Sequence, residues 1–152
     1  MKKTWILVAN ATRARVLERR AADHALIELA DFVHPAKTLE AEAAGGDMTG
    51  AAGKGHGRTG HAGTQFEPHI EAKDKARATF ARQLADYLNH GVMAQHCQEL
   101  MLIASSPMLG DLKPLLSSAA ERVLQRSVTS DLTRYQHAEL RERVELALQL
   151  PA

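Results

Sequence analysis

The sequence predicts an α/β domain: a single mixed β-sheet with helices on its faces, in the order βββ-α-β-α-β-α. Three observations carry this. Two short runs, Trp5-Ile6-Leu7-Val8-Ala9 and Leu100-Met101-Leu102-Ile103-Ala104, are wholly apolar, the mark of strands buried on both faces. Two further strand-like segments follow the first run after short polar links, which suggests an antiparallel meander. Apolar residues then recur at helical spacing in three later segments. A length of 152 residues suits one domain, spanning 1–152.

Taken in order, Trp5 to Ala9 is the first strand and Asn10-Ala11-Thr12 a turn. Arg13 to Glu18 is the second strand; Ala14, Val16 and Glu18 alternate with Arg15 and Leu17, which leaves one face partly wet. Leu26 to Val33 is the third, and Pro35 ends it. From about residue 36 to 66 no period is sustained, so a flexible glycine-rich loop is expected, with at most one helical turn at Thr38 to Ala44. Pro68 opens the first helix, a position where its missing N–H costs nothing. Ala76, Phe80, Leu84, Tyr87 and Leu88 form its buried stripe, and Asn89-His90-Gly91 ends it, with Gly91 as a left-handed cap. Leu100 to Ala104 is the fourth strand, and Ser105-Ser106-Pro107 leads out of it. The residues from Leu109 to Leu124 present a wide apolar helical face, with Pro114 in or near the first turn. Ser127 to Asp131 is a fifth, edge strand. Gln136 to Leu150 is the last helix, with Leu140, Val144, Ala147 and Leu148 inward.

Nineteen Lys and Arg against eighteen Asp and Glu leave a net charge of +1, so any binding to nucleic acid must come from local charge. Cys97 is the only cysteine, which excludes an intramolecular disulfide and a cysteine-rich zinc site and reads as a buried, inert thiol. The start, MKKTWILVANA, is similar to a signal peptide, but its apolar run is shorter than the roughly seven residues such a segment needs. It is expected to be the first strand. No run reaches membrane-spanning length, and a cytoplasmic location with no membrane partner is the expectation.

The functional question concentrates on Gly53 to Phe66. Eight of the ten glycines fall between Gly45 and Gly63. Gly55, Gly57 and Gly60 satisfy G-x-G-x-x-G, but they neither follow a strand directly nor open a helix, as a dinucleotide site requires. Gly53-Lys54 lacks the upstream glycine and the following Ser or Thr of a P-loop. His56, His61 and His69 offer metal-binding nitrogens without evident partners to orient their rings, so they read as solvated and no metal or cofactor is expected. The element order is similar to that of ribonuclease H-like nucleases, which clamp two metal ions with strand-borne carboxylates. Here the first strand ends in Asn10, and the fourth carries only Glu99, at its entry. Ser105 and Ser106 lack a nucleophile-elbow pattern. What remains is local charge: Lys54 and Arg58, His56 and His61, and no acid from Met48 to Phe66. Glycine-rich backbone amides approach phosphates closely. The stretch is read either as a nucleic-acid contact or as a solvated loop with no defined partner. Asn10 and Arg13, at the end of the first strand, are read either as crevice residues or as turn and surface residues.

Two groups of residues carry a resemblance: Trp5-Ile6-Leu7-Val8-Ala9-Asn10 with Ala14-Arg15-Val16, and Leu109-Gly110-Asp111-Leu112-Lys113 with Ser130-Asp131-Leu132-Thr133. By these the chain resembles, over essentially its whole length, the bacterial host attachment family, described as proteins required for attachment to host cells. That family looks like the middle domain of archaeal and eukaryotic translation release factors, in which a basic loop bearing Gly-Gly-Gln enters the ribosome and helps hydrolyse peptidyl-tRNA. The resemblance implies that the loop contacts the ribosome or tRNA through Lys54, Gly55, His56, Gly57, Arg58, Gly60, His61, Gly63 and Gln65. It also makes Gln65 the one candidate catalytic group. Thr64 stands where the second glycine belongs. The expected function is therefore a non-enzymatic RNA- or ribosome-binding module. The alternatives are a release-factor-like peptidyl-tRNA hydrolase using Gln65 and a cell-surface interaction protein. Neither the protein partner nor the oligomeric state is legible.

Overall fold

The computed structural model describes residues 2–34 and 62–149, with side chains of the long first helix described from residue 72. Five strands form one sheet in the order β3-β2-β1-β4-β5: β1 Thr4–Ala9, β2 Arg13–Arg19, β3 Leu26–Val33, β4 Glu99–Ala104 and β5 Leu124–Thr129. β1, β2 and β3 form the antiparallel meander. β4 pairs parallel with β1, and β5 parallel with β4, so the sheet is mixed as expected. A bulge between Val16 and Leu17 shifts the β2–β3 register.

Both faces of β1 are covered, which explains its unbroken apolar sequence. Trp5, Leu7 and Ala9 point to the face carrying three helical elements: α1 Ala62–Met93, α2 Ser106–Leu112 and α3 Ser118–Val123. Ile6 and Val8 point to the other face, against Leu140, Val144 and Ala147 of α4, His137–Gln149. α4 also covers the side of β2 expected to be partly wet: Leu17 is buried there, and so is Arg15, whose guanidinium donates to Glu28 and to the Tyr135 carbonyl.

Three expectations about helix ends are corrected. α1 begins at Ala62, not at Pro68, so Gly63-Thr64-Gln65 lies within the helical span. A single glycine costs a helix about 1 kcal/mol, which a helix of 32 residues absorbs. Gly91 is not the carboxyl cap. α1 runs past it to Met93, and the left-handed residue is Gln95, with φ 63°. The N–H of His96 donates to Gly91 O at 2.8 Å and that of Gln95 to Val92 O at 3.0 Å, the bond pattern of a Schellman cap centred on Gln95. Gly91 is glycine because the Trp5 ring lies against its Cα, where a Cβ would collide with Cη2 and Cζ3. Finally, the apolar stretch from Leu109 to Leu124 is not one helix. Pro114 sits in a short 3₁₀ turn, Lys113–Leu115. Ser117 then caps α3 by accepting from the Ala120 N–H, and β5 starts at Leu124 rather than Ser127. Asn89, expected to end α1, instead ties it to this break, donating to Leu115 O and accepting from Ser117 N–H.

Candidate functional site

Because β1, β4 and β5 run parallel, their carboxyl ends share one edge of the sheet, the edge at which open α/β sheets form ligand crevices. Asn10, just past β1, is held there by both ends of its amide. Its Oδ1 accepts from the N–H groups of Thr12 at 2.9 Å and Arg13 at 2.8 Å, which closes the β1–β2 turn. Its Nδ2 donates to Asp131 Oδ2 at 2.9 Å and to Thr133 Oγ1 at 3.0 Å, beyond the end of β5. Thr133 donates its N–H and its hydroxyl to Asp131 Oδ1, at 3.0 and 2.7 Å. Burial pushes the Asp131 carboxyl up, but the hydrogen bonds from Asn10 and Thr133 outweigh it and hold the group below its ordinary value. A carboxylate with that many donors is a weak base and a strong brace. It locks the turn after β1 to the segment after β5.

Glu99 lies at the opposite edge, paired with Thr4, whose hydroxyl donates to it at 3.0 Å. Among the described residues, no three His, Cys, Asp or Glu side chains come together in a way that would hold a metal ion. Cys97 is buried, donates to Glu99 O at 3.3 Å, and has its thiol pushed up to about 11 by burial, so it stays protonated at neutral pH.

The chain enters residues 35–61 from the Asn10 edge. Val33 pairs with Arg13, and the His34 N–H donates to Thr12 O at 2.9 Å. The His34 ring packs edge-on against Phe80 of α1, with centroids 5.1 Å apart, and burial lowers its pKa. The predicted contact residues Lys54, Gly55, His56, Gly57, Arg58, Gly60 and His61 lie outside the described residues. Gly63 and Gln65 fall in the opening turns of α1.

Asn10 and Arg13 part company in the structure. Asn10 serves the brace. Arg13 lines a cavity of about 540 Å³ between the outer part of the meander and the start of α4, together with Arg15, Glu28, His137 and Arg141. Two signals for these features stood in the sequence unused. Arg13 and Arg15, two apart on a strand, share a face. Asp131 and Thr133, which belong to the residues that carry the resemblance, are the partners of Asn10. The two residue groups that carry the resemblance therefore meet in space.

A family model described as protein required for attachment to host cells matches residues 5–144. No curated protein matches the chain. Among the solved chains it is similar to is the Aquifex aeolicus Ppx/GppA phosphatase, in its type II variant, at 9% identity and a TM-score of 0.38. That likeness covers 85% of this chain and 36% of the phosphatase. It concerns a phosphatase and not a release factor, and at that level it carries no argument about activity. Among the described residues, no helix is long and apolar enough to cross a membrane.

Proposed function

The chain belongs to the family of proteins required for attachment to host cells, and from that premise we propose that it is a non-enzymatic binding module that contacts RNA, on the ribosome or as tRNA, through the glycine-rich stretch from Gly53 to Gln65. One observation carries the reading. In a chain with a net charge of only +1, the stretch from Met48 to Phe66 holds Lys54, Arg58 and two histidines and no acid. Fixed cations among glycine amides suit a phosphate backbone, since the amides approach closely and the cations release counterions. The partner class rests on the sequence resemblance to release factors alone, and a cytoplasmic location belongs to the same proposal.

The test is fluorescence anisotropy of a labelled single-stranded RNA oligonucleotide titrated with the protein at several salt concentrations. Two phosphate contacts predict a log–log salt slope of about −1.4. Replacing both Lys54 and Arg58 by Gln should flatten that slope and weaken binding. Absence of binding, or a slope that the double variant leaves unchanged, contradicts the proposal. A hydrolytic form of the same reading assigns the chemistry to Gln65, and Gln65→Ala then abolishes peptidyl-tRNA turnover while RNA binding survives. The family description itself favours a second reading, direct interaction at the cell surface. Fractionation of intact cells separates the two, because that reading requires the protein to be exposed outside.

A further inference from the structure

The cavity beside α4 has a composition that the RNA-binding proposal does not use. Three guanidinium groups, from Arg13, Arg15 and Arg141, stand on its wall against one carboxylate, that of Glu28. Asp31, paired with Arg13 at 3.3 Å, and the Asp23 and Glu145 carboxylates that act on Arg141 offset part of that charge. Arg15 is the fixed member. It is 8% exposed, and it is locked by Nε donating to Glu28 at 2.8 Å and Nη1 donating to Tyr135 O at 2.6 Å. Arg13 has a buried Nε that meets no acceptor among the described residues. Arg141 donates to the backbone carbonyl of Asp23 at 2.6 Å.

The first residues of α4, His137 and Ala138, complete the wall. The opening amides of a helix have no intrahelical partner, and the helix dipole is positive at that end. Glu139, in the same turn, pairs with Arg143 at 3.7 Å. Leucines 17, 26 and 140 supply an apolar floor. The buried Arg13 Nε, without an acceptor among the described residues, and the opening amides of α4 are donors that an anion in the cavity would satisfy.

We propose that this cavity binds a small phosphate monoester. The phosphate would sit among the guanidinium forks and the α4 amides, and an apolar ring or chain would lie on the leucine floor. Phosphate suits the site better than carboxylate, because the lining donors come from two separate elements, β2 and α4, and a phosphate presents three oxygens to them. None of the described residues that line it lies in 53–65, and it stands or falls separately from the RNA proposal.

The probe is phenyl phosphate, titrated into the full chain by calorimetry, with benzoate and inorganic phosphate as comparisons. Amide NMR follows Ala25 to Glu28 and His137 to Arg141. Saturable binding of phenyl phosphate is expected, roughly tenfold tighter than either comparison, with shifts confined to those two segments. Arg141→Gln, at an exposed position, and Arg13→Gln, at a partly exposed one, should each weaken it by roughly tenfold. Arg15→Lys tests the buried fork and is scored only if its circular dichroism matches that of the parent. Overturning results are no saturable binding at millimolar probe, equal affinity for benzoate, or affinity unchanged in both the Arg13 and Arg141 variants.

Discussion

Gly91→Ala tests the packing logic of the domain, because two effects of opposite sign meet at one position. In an ordinary helix interior the change stabilises by about 0.5–1 kcal/mol, since glycine loses more backbone entropy than alanine. Here the new Cβ would lie in collision with the Trp5 ring. Trp5 is 5% exposed and has little room to retreat. It stacks on Tyr87 with centroids 5.5 Å apart, and Tyr87 in turn meets the Phe32 edge at 5.4 Å. Overpacking a closed core costs about 1–3 kcal/mol, which outweighs the entropy gain. A net loss of about 1–2 kcal/mol follows, or a fall in Tm of roughly 2–8 °C for a chain of this length. Thermal unfolding by circular dichroism measures it, and fluorescence gives a local check, since Trp5 is the only tryptophan. A raised Tm with unchanged tryptophan emission would refute the reasoning and show that the ring does not occupy the glycine.

The complementary change is Gln95→Gly. It relieves a left-handed residue at the α1 cap and should stabilise by about 1 kcal/mol in denaturant unfolding; a loss would mean that the cap is elsewhere. Asn10→Ala removes the amide that joins the β1 turn to Asp131 and Thr133, and leaves the part-buried N–H groups of Thr12 and Arg13 without their acceptor. A cost of about 1–3 kcal/mol is expected by urea titration, and a cost under about 0.5 kcal/mol would show that the brace is dispensable. Glu145 accepts a two-pronged contact from Arg19, at 2.6 and 2.8 Å, and those hydrogen bonds hold its carboxyl below the ordinary value of 4.5. Its folded pKa lies below its unfolded one, so the stabilisation is complete above about pH 4.5 and is lost as pH falls through the folded value. Glu145→Gln should therefore destabilise at neutral pH and show a shallower acid limb than the parent, as read by Tm against pH. An identical acid limb would remove Glu145 from that role.

β1 and β4 were legible because burial on both faces erases polar alternation, whereas β5 starts three residues before its expected place. The expected ends of β3, Leu26 and Val33, are the observed ones. The ends of α1 were not legible, for a physical reason. A glycine is indistinguishable in sequence whether it serves a backbone angle or makes room for a ring brought in from another element. Gly91 is the second kind, and Gln95 took the conformation expected of glycine. The stretch from Leu109 to Leu124 kept its apolar content through a helix, a 3₁₀ turn, another helix and the start of a strand. Periodicity over so few residues cannot separate those, while Pro114 and the capping Ser117 mark the breaks once they are weighed. Of the candidate site, Asn10 and Arg13 were found at the sheet edge, but the partners that give them roles come from after β5 and from α4, which only the fold brings near.

Co-sedimentation with ribosomes tests the proposed function most directly. Three full-length chains are compared at low and high salt: the parent, Lys54→Gln with Arg58→Gln, and Gln65→Ala. Binding by the parent at low salt, lost at high salt and lost in the double cation variant but kept in Gln65→Ala, is the result expected of a non-enzymatic module working through this stretch. No binding by the parent, or binding that the double variant leaves intact, would contradict it.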